Sequence, residues 1–224
     1  MTTRKDIRKE ARLTLQGKWS DPFLATLVVF LISIVVQIGL QWFSFFMMYG
    51  RVDVSIRTIT SLSSIGMLLW LLFLVPLTYG FELCFYRFKK GREECVAEMF
   101  RASFKEDYGR SLGTMLLVKV FLMLWTLLFI IPGIVKWYAY SMTVFIAEDE
   151  PQLSPMECID KSMAMMKGHK WQLFLLDLSF IGWFILCMLT FGIGFLWLTP
   201  YQGMAHVVFY EQLKAAENQP MELV

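Results

Sequence analysis

Three long stretches of the chain carry no charged residue. Asp21 to Arg51 encloses 29 uncharged residues, Arg57 to Glu82 encloses 24, and Asp177 to Glu211 encloses 33. A helix needs roughly 20 apolar residues to cross about 30 Å of hydrocarbon. The first two runs each fit one span, and the third fits a compact hairpin. A further stretch, 125–151, reads WTLLFIIPGIVKWYAYSMTVFIAEDEP. Pro132-Gly133 breaks its first apolar run. The second carries Lys136 beside Trp137, Tyr138 and Tyr140, and Glu148, Asp149 and Glu150 close it. This is the pattern of a transmembrane hairpin with a tight turn, an interfacial anchor on the outer side and a charged exit.

The intervening polar segments have a helical period of their own. In residues 3–17, Ile7, Ala11 and Leu15 recur every four positions among Arg4, Lys5, Arg8, Lys9 and Arg12. That predicts a basic amphipathic helix on the membrane surface, ended by Gly17 and followed by Trp19 at the headgroup level. Val96, Met99, Phe100 and Phe104 predict a second surface helix over 93–105. Ser154-Pro155-Met156-Glu157 is a capping box with proline at the first helical position. It opens a third surface helix, 155–167, with Met156, Ile159, Met163 and Met166 on one face and a stop at Gly168.

The expected fold is therefore all-α. It is a polytopic six-helix transmembrane bundle with three short cytoplasmic amphipathic helices, forming a single membrane domain over 1–224. The spans fall at 22–47, 65–86, 112–131, 133–147, 171–189 and 195–210. Pro76, Pro132, Gly133 and Pro200 are read as helix breaks, and the chain from Glu211 as a polar tail. Each third of the chain runs surface helix, span, turn, span. Gln16-Gly17-Lys18-Trp19 before the first span resembles Lys167-Gly168-His169-Lys170-Trp171 before the fifth. This order reads either as a threefold hairpin pseudo-repeat or as a coincidence of similar hairpins.

Composition agrees: 57% of residues are hydrophobic and 18% charged, against about 25% charged in a soluble domain. A net charge of +2 points away from nucleic acid. The placement of the charge says more than its sum. Seventeen lysines and arginines fall in the N-terminal segment, the 87–110 and 148–170 loops and the tail, and three (Arg51, Arg57, Lys136) fall on the other side. That asymmetry predicts cytoplasmic termini. Cys84 and Cys187 lie in apolar runs and Cys95 and Cys158 in charged loops, with no CxxC or Cys/His spacing, so no metal site is expected.

Five ionisable residues fall within the predicted spans; Lys136 is the shallow outer anchor, and the other four lie deeper. At 1.5 Å per residue, Glu82, Lys119, Asp177 and His206 lie roughly 7–11 Å inside the cytoplasmic boundary. A charge at such depth faces the bundle interior and has a partner. The four form either a shared polar cluster, with Lys119 paired to Glu82 or Asp177, or separate features in which Lys119 snorkels and the carboxylates pair locally. Met156, Met163, Met165 and Met166 could bind copper(I) through thioethers, but their spacing fits an apolar stripe better. His169, beside Lys167 and Lys170, reads as a solvated interface residue.

LLFIIPGIVKWYAYSM, MKGHKWQLFLLDLSFIGW and TFGIGFLWLTPY together resemble the bacterial integral membrane proteins grouped as domain of unknown function 975, a family common in Firmicutes. The resemblance implies a multispan plasma-membrane protein of a Gram-positive bacterium. It implies no activity, ligand or catalytic residue. GxSxG, HExxH, P-loop and paired DxD motifs are absent, so an enzyme acting on lipid is disfavoured and no cofactor is expected. The expected function is that of a non-enzymatic, membrane-embedded binding or accessory protein for peptide export or self-protection. Its partners would be the bilayer and another membrane protein or an amphipathic peptide. The alternative is a small secondary carrier with a polar site in the cytoplasmic half of the bundle.

Overall fold

The computed structural model describes the backbone of residues 3–49, 56–92, 94–106 and 108–218, and the side chains there except at 43–44, 46–49, 56–71 and 218. Arg51 and Asp53 of the expected outer loop lie outside the described residues. Those described form helices and no strand: α1 (Arg4–Leu15), α2 (Ser20–Tyr49), α3 (Ile56–Lys89), α4 (Cys95–Phe100) continued by a π-helical turn at Arg101–Lys105, α5 (Tyr108–Leu128), α6 (Ile130–Tyr140), α7 (Thr143–Asp149), α8 (Pro155–Met165), α9 (Lys170–Leu178), α10 (Ile181–Leu189) and α11 (Phe195–Asn218). Among the described residues, four helical stretches are long and apolar enough to cross a membrane: Ser20–Trp42, Tyr108–Leu128, Ile130–Asp149 and Lys170–Leu189.

Two of the expected breaks are continuous helix. Pro76 lies inside α3 and Pro200 inside α11. A proline leaves the carbonyl four residues earlier without its amide donor, and in lipid such a group must be satisfied within the protein. For Pro76 that carbonyl is Leu72, and it accepts a 2.7 Å hydrogen bond from the Tyr108 hydroxyl. Pro132 is the third residue of α6, in the first turn, where its missing N–H costs nothing. The turn before it is made by Phe129, in extended conformation (φ −160°, ψ 143°). Gly133 instead marks a close approach of α5 to α6: a Cβ there would sit 2.7 Å from Thr126 Oγ1 and 3.1 Å from Thr126 Cα.

The helices are interrupted at serines. α6 gives way to α7 at Ser141, whose hydroxyl bonds the Tyr138 carbonyl at 2.9 Å. α9 gives way to α10 at Ser179, whose hydroxyl bonds the Leu176 carbonyl at 2.6 Å. Side-chain hydroxyls that take backbone carbonyls compete with the helix ladder. At the other end of the chain, the expected polar tail continues α11 as far as Asn218.

All three short amphipathic helices turn their apolar faces into the protein. Ile7, Ala11 and Leu15 of α1 are buried in the main core, and α1 packs along α11. Cys95 and Met99 of α4 are buried, and α4 packs against α3 and α2. In α8 Cys158, Ile159 and Ser162 are buried. Of the expected stripe, Ile159 and Met166 are buried and Met163 packs against the Ile159 cluster, while Met156 is exposed. Ser162 Oγ bonds the Ala139 carbonyl at 2.8 Å, which ties α8 to α6. Cys95 and Cys158, expected in charged loops, are 1% and 0% exposed.

The Ser154 cap is formed. Its hydroxyl accepts from the Glu157 amide at 3.4 Å and its own amide donates to Glu157 Oε2 at 2.7 Å. Ser154→Ala should cost about 1 kcal/mol of local helix stability. Amide exchange over 157–160 should speed up accordingly, with the rest of α8 unchanged. Equal exchange in the two proteins would show the cap to be idle.

Candidate functional site

α3, α5, α6, α7 and α11 enclose a groove of about 310 Å³. Phe81, Phe85, Met115 and Phe145 supply apolar wall, and Glu82, Lys119 and His206 also line it. Three of the four sequence-nominated residues thus share one concavity, contributed by α3, α5 and α11. The fourth, Asp177 on α9, stands behind His206. Its Oδ1 lies 2.7 Å from His206 Nε2 and accepts from Gln202 Nε2 at 3.1 Å. Gln202 also lines the groove, so Asp177 fixes two of its polar groups.

The ion pair expected of Lys119 is not made. Among the described residues, no carboxylate of Glu82 or Asp177 lies within 4 Å of the Lys119 ammonium, and neither Glu82 nor Lys119 makes a hydrogen bond. The pair that does form is Asp177 with His206. The reason is positional: Asp177 and His206 come from α9 and α11, which pack together, and the imidazole takes the carboxylate first. Lys119 also borders a second cleft of about 230 Å³, with Ser33, Gln37 and Thr78.

Lys136, expected as an outer anchor, is turned toward the bundle. Its ammonium lies 4.8 Å from the Trp125 ring centroid, 5.7 Å from that of Tyr140, and 3.4 Å from Met163 Sδ on α8. Cation–π attraction holds it there in place of water.

Two charge networks at the ends of α3 and α7 escaped the sequence reading. Arg87, 5% exposed, donates to Glu98 at 2.8 Å, to Glu148 at 2.9 and 3.0 Å, and to Glu106. Asp149 accepts from Tyr86 (2.5 Å), Tyr210 (2.9 Å), Lys90 (2.8 Å) and Lys214 (2.5 Å). The guanidinium of Arg110 caps α7 from its C-terminal side, bonding the carbonyls of Ala147 and Glu150 at 2.9 Å and that of Pro151. These residues form a collar that ties α3, α4, α7 and α11 together. The signal for them was in the sequence: Tyr86-Arg87 closes one apolar run and Glu148-Asp149 closes another.

Chemically, the groove offers an unpaired carboxylate and an unpaired ammonium in apolar surroundings. The hydroxyls of Ser141 and Thr143 are donated to the carbonyls of Tyr138 and Tyr140. Among the described residues, no three His, Cys, Asp or Glu side chains gather closely enough to hold a metal ion.

No curated protein and no solved structure matches the chain. The family model described as protein of unknown function (DUF975) matches residues 1–137 and 129–217. The chain belongs to that family.

Proposed function

We propose that the protein is a non-enzymatic, membrane-embedded binding protein of a bacterial plasma membrane, and that its ligand is an amphipathic peptide held in the groove beside α3. The observation that carries this reading is the unsatisfied pair of opposite charges, Glu82 and Lys119, on a largely apolar wall. Both side chains are exposed along the groove rather than packed away. An ionisable group at membrane depth needs a partner, and a peptide with its own amine and carboxylate supplies both. In this reading α2, α3, α5, α6–α7, α9–α10 and α11 are six crossings, and the lysine and arginine count puts both termini in the cytoplasm. Peptide export and self-protection are the roles that such a site serves.

Purified protein in nanodiscs, titrated with a labelled amphipathic peptide bearing lysine and a free carboxylate, tests it. Glu82→Gln and Lys119→Met should each weaken binding by about threefold to fivefold, because each removes one ion-pair contact to the peptide, worth up to about 1 kcal/mol where the groups are exposed. Unchanged affinity in both variants would remove the groove as the site.

The His206–Asp177 pair favours a second reading, a small secondary carrier. A histidine hydrogen-bonded to a carboxylate inside a membrane is a protonatable relay. On that reading His206→Gln abolishes pH-driven peptide uptake into proteoliposomes. No uptake by the unmodified protein would exclude transport.

A further inference from the structure

A second cavity, of about 400 Å³, lies between α1 and the α10–α11 hairpin, away from the groove. Arg8 and Arg12 stand on the α1 side. Trp19, Trp183, Trp197 and Tyr201 supply its aromatic surface. We propose that this cavity binds an anionic phospholipid, with the phosphate between Arg8 and Arg12 and an acyl chain along Trp183 and Trp197.

Charge comes first. No acidic residue lines the cavity, and among the described residues neither arginine has a carboxylate partner. Arg8 is held in place without being neutralised. It donates to the Ser179 carbonyl at 3.4 Å, lies 5.1 Å over the Phe180 ring, and its own carbonyl accepts from the Tyr201 hydroxyl at 3.2 Å. A guanidinium matches phosphate oxygens through two parallel hydrogen bonds.

Shape comes second. The buried stripe of α1 is already used against α11, so its arginine face is what remains beside the hairpin. From the arginines the cavity runs past Trp183 and Leu186 to Thr190 and Gly194. The hairpin's neighbouring residues Ile185 and Leu189 are 57% and 73% exposed, as lipid-facing residues should be. A polar anion at one end and an apolar slot beyond it match one molecule, an anionic lipid with its tail. Free phosphate would leave the apolar part unfilled.

The probe is phosphatidylglycerol, presented to the full chain in detergent and counted on the protein by native mass spectrometry, with phosphatidylcholine as the neutral comparison. The unmodified protein should retain phosphatidylglycerol selectively. Arg12→Gln removes a guanidinium with no partner to lose and should weaken retention about fivefold, the effect of one basic residue near an anionic headgroup. The double change Arg8→Gln with Arg12→Gln should abolish the selectivity. Lys105→Gln with Lys167→Gln, which removes the same charge elsewhere, should keep it. Millimolar inorganic phosphate should not compete. Any of three results would overturn the proposal: no selectivity in the unmodified protein, an equal loss in the lysine control, or displacement by inorganic phosphate, which would make the site one for free anions.

Discussion

Arg87→Met should lower stability by about 3–5 kcal/mol, the usual result of removing one partner from a buried ion pair. The residue is almost wholly buried and bonds three carboxylates from three elements: Glu98 on α4, Glu106 after the π-helical turn, and Glu148 on α7. Methionine fills similar volume but leaves those acids facing one another. Glu98 keeps Arg92 and Arg101; Glu148 keeps no ion pair among the described residues. Arg87→Lys should recover only part of the loss, since an ammonium lacks the planar fork that serves several acids at once. Thermal melts in detergent read both variants. The same network fixes an acid dependence. Burial pushes the Glu98 carboxyl up, but hydrogen bonds from Arg87 and Arg92 outweigh it and hold the group below the usual glutamate range. A carboxyl with a depressed folded pKa adds stability above its unfolded pKa, about 4.3, and loses it as the pH falls through the lower folded value. The melting temperature should therefore drop below about pH 4.3, and the drop should be smaller in Arg87→Met. An Arg87→Met protein that melts with the unmodified one would show that the collar carries no load.

Periodicity made the helices legible, and it did so where one rule decided the outcome. The i, i+4 stripe of Ile7, Ala11 and Leu15 is α1, and Ser154-Pro155-Met156-Glu157 starts α8 as its cap chemistry requires. What a stripe packs against was not legible. An apolar face fits lipid and protein equally well, and only the tertiary structure puts α1 on α11. Proline misled for a related reason. At Pro76 the freed carbonyl finds the Tyr108 hydroxyl 36 residues away, a partner that no local window contains. Among the site residues, Glu82, Lys119 and His206, given equal estimated depth from helical rise, line one groove. Pairing did not follow, because it depends on rotation about each helix axis. His206, not Lys119, holds the Asp177 carboxylate. The collar was overlooked because its charges were counted as loop charges, when Glu148 and Asp149 are the last turn of α7.

Gly80→Ala should be strongly destabilising. A Cβ at Gly80 would land well inside the contact distance of Ser103 Oγ and of the Met99 carbonyl oxygen, and 3.1 Å from the Met99 carbonyl carbon. Ser103 could turn its hydroxyl away, though it would lose its 2.7 Å bond to that same carbonyl. The Met99 backbone cannot turn without unwinding the end of α4. Forced overpacking of this kind costs about 1–3 kcal/mol and occasionally more, against the gain of roughly 0.5–1 kcal/mol that alanine normally brings inside a helix. The damage should spread along α4. Glu98 precedes Met99, so displacing that turn moves a carboxylate off Arg87. Gly80→Ala and Arg87→Met should therefore combine less than additively, as changes to one shared network do. Gly182→Ala is the control. It lies inside α10 with nothing within 4 Å of its added carbon, and should be neutral or stabilising. The two substitutions are chemically identical and opposite in expected sign, so a melt of each decides the matter. Equal melting temperatures would mean that α3 and α4 do not meet at Gly80.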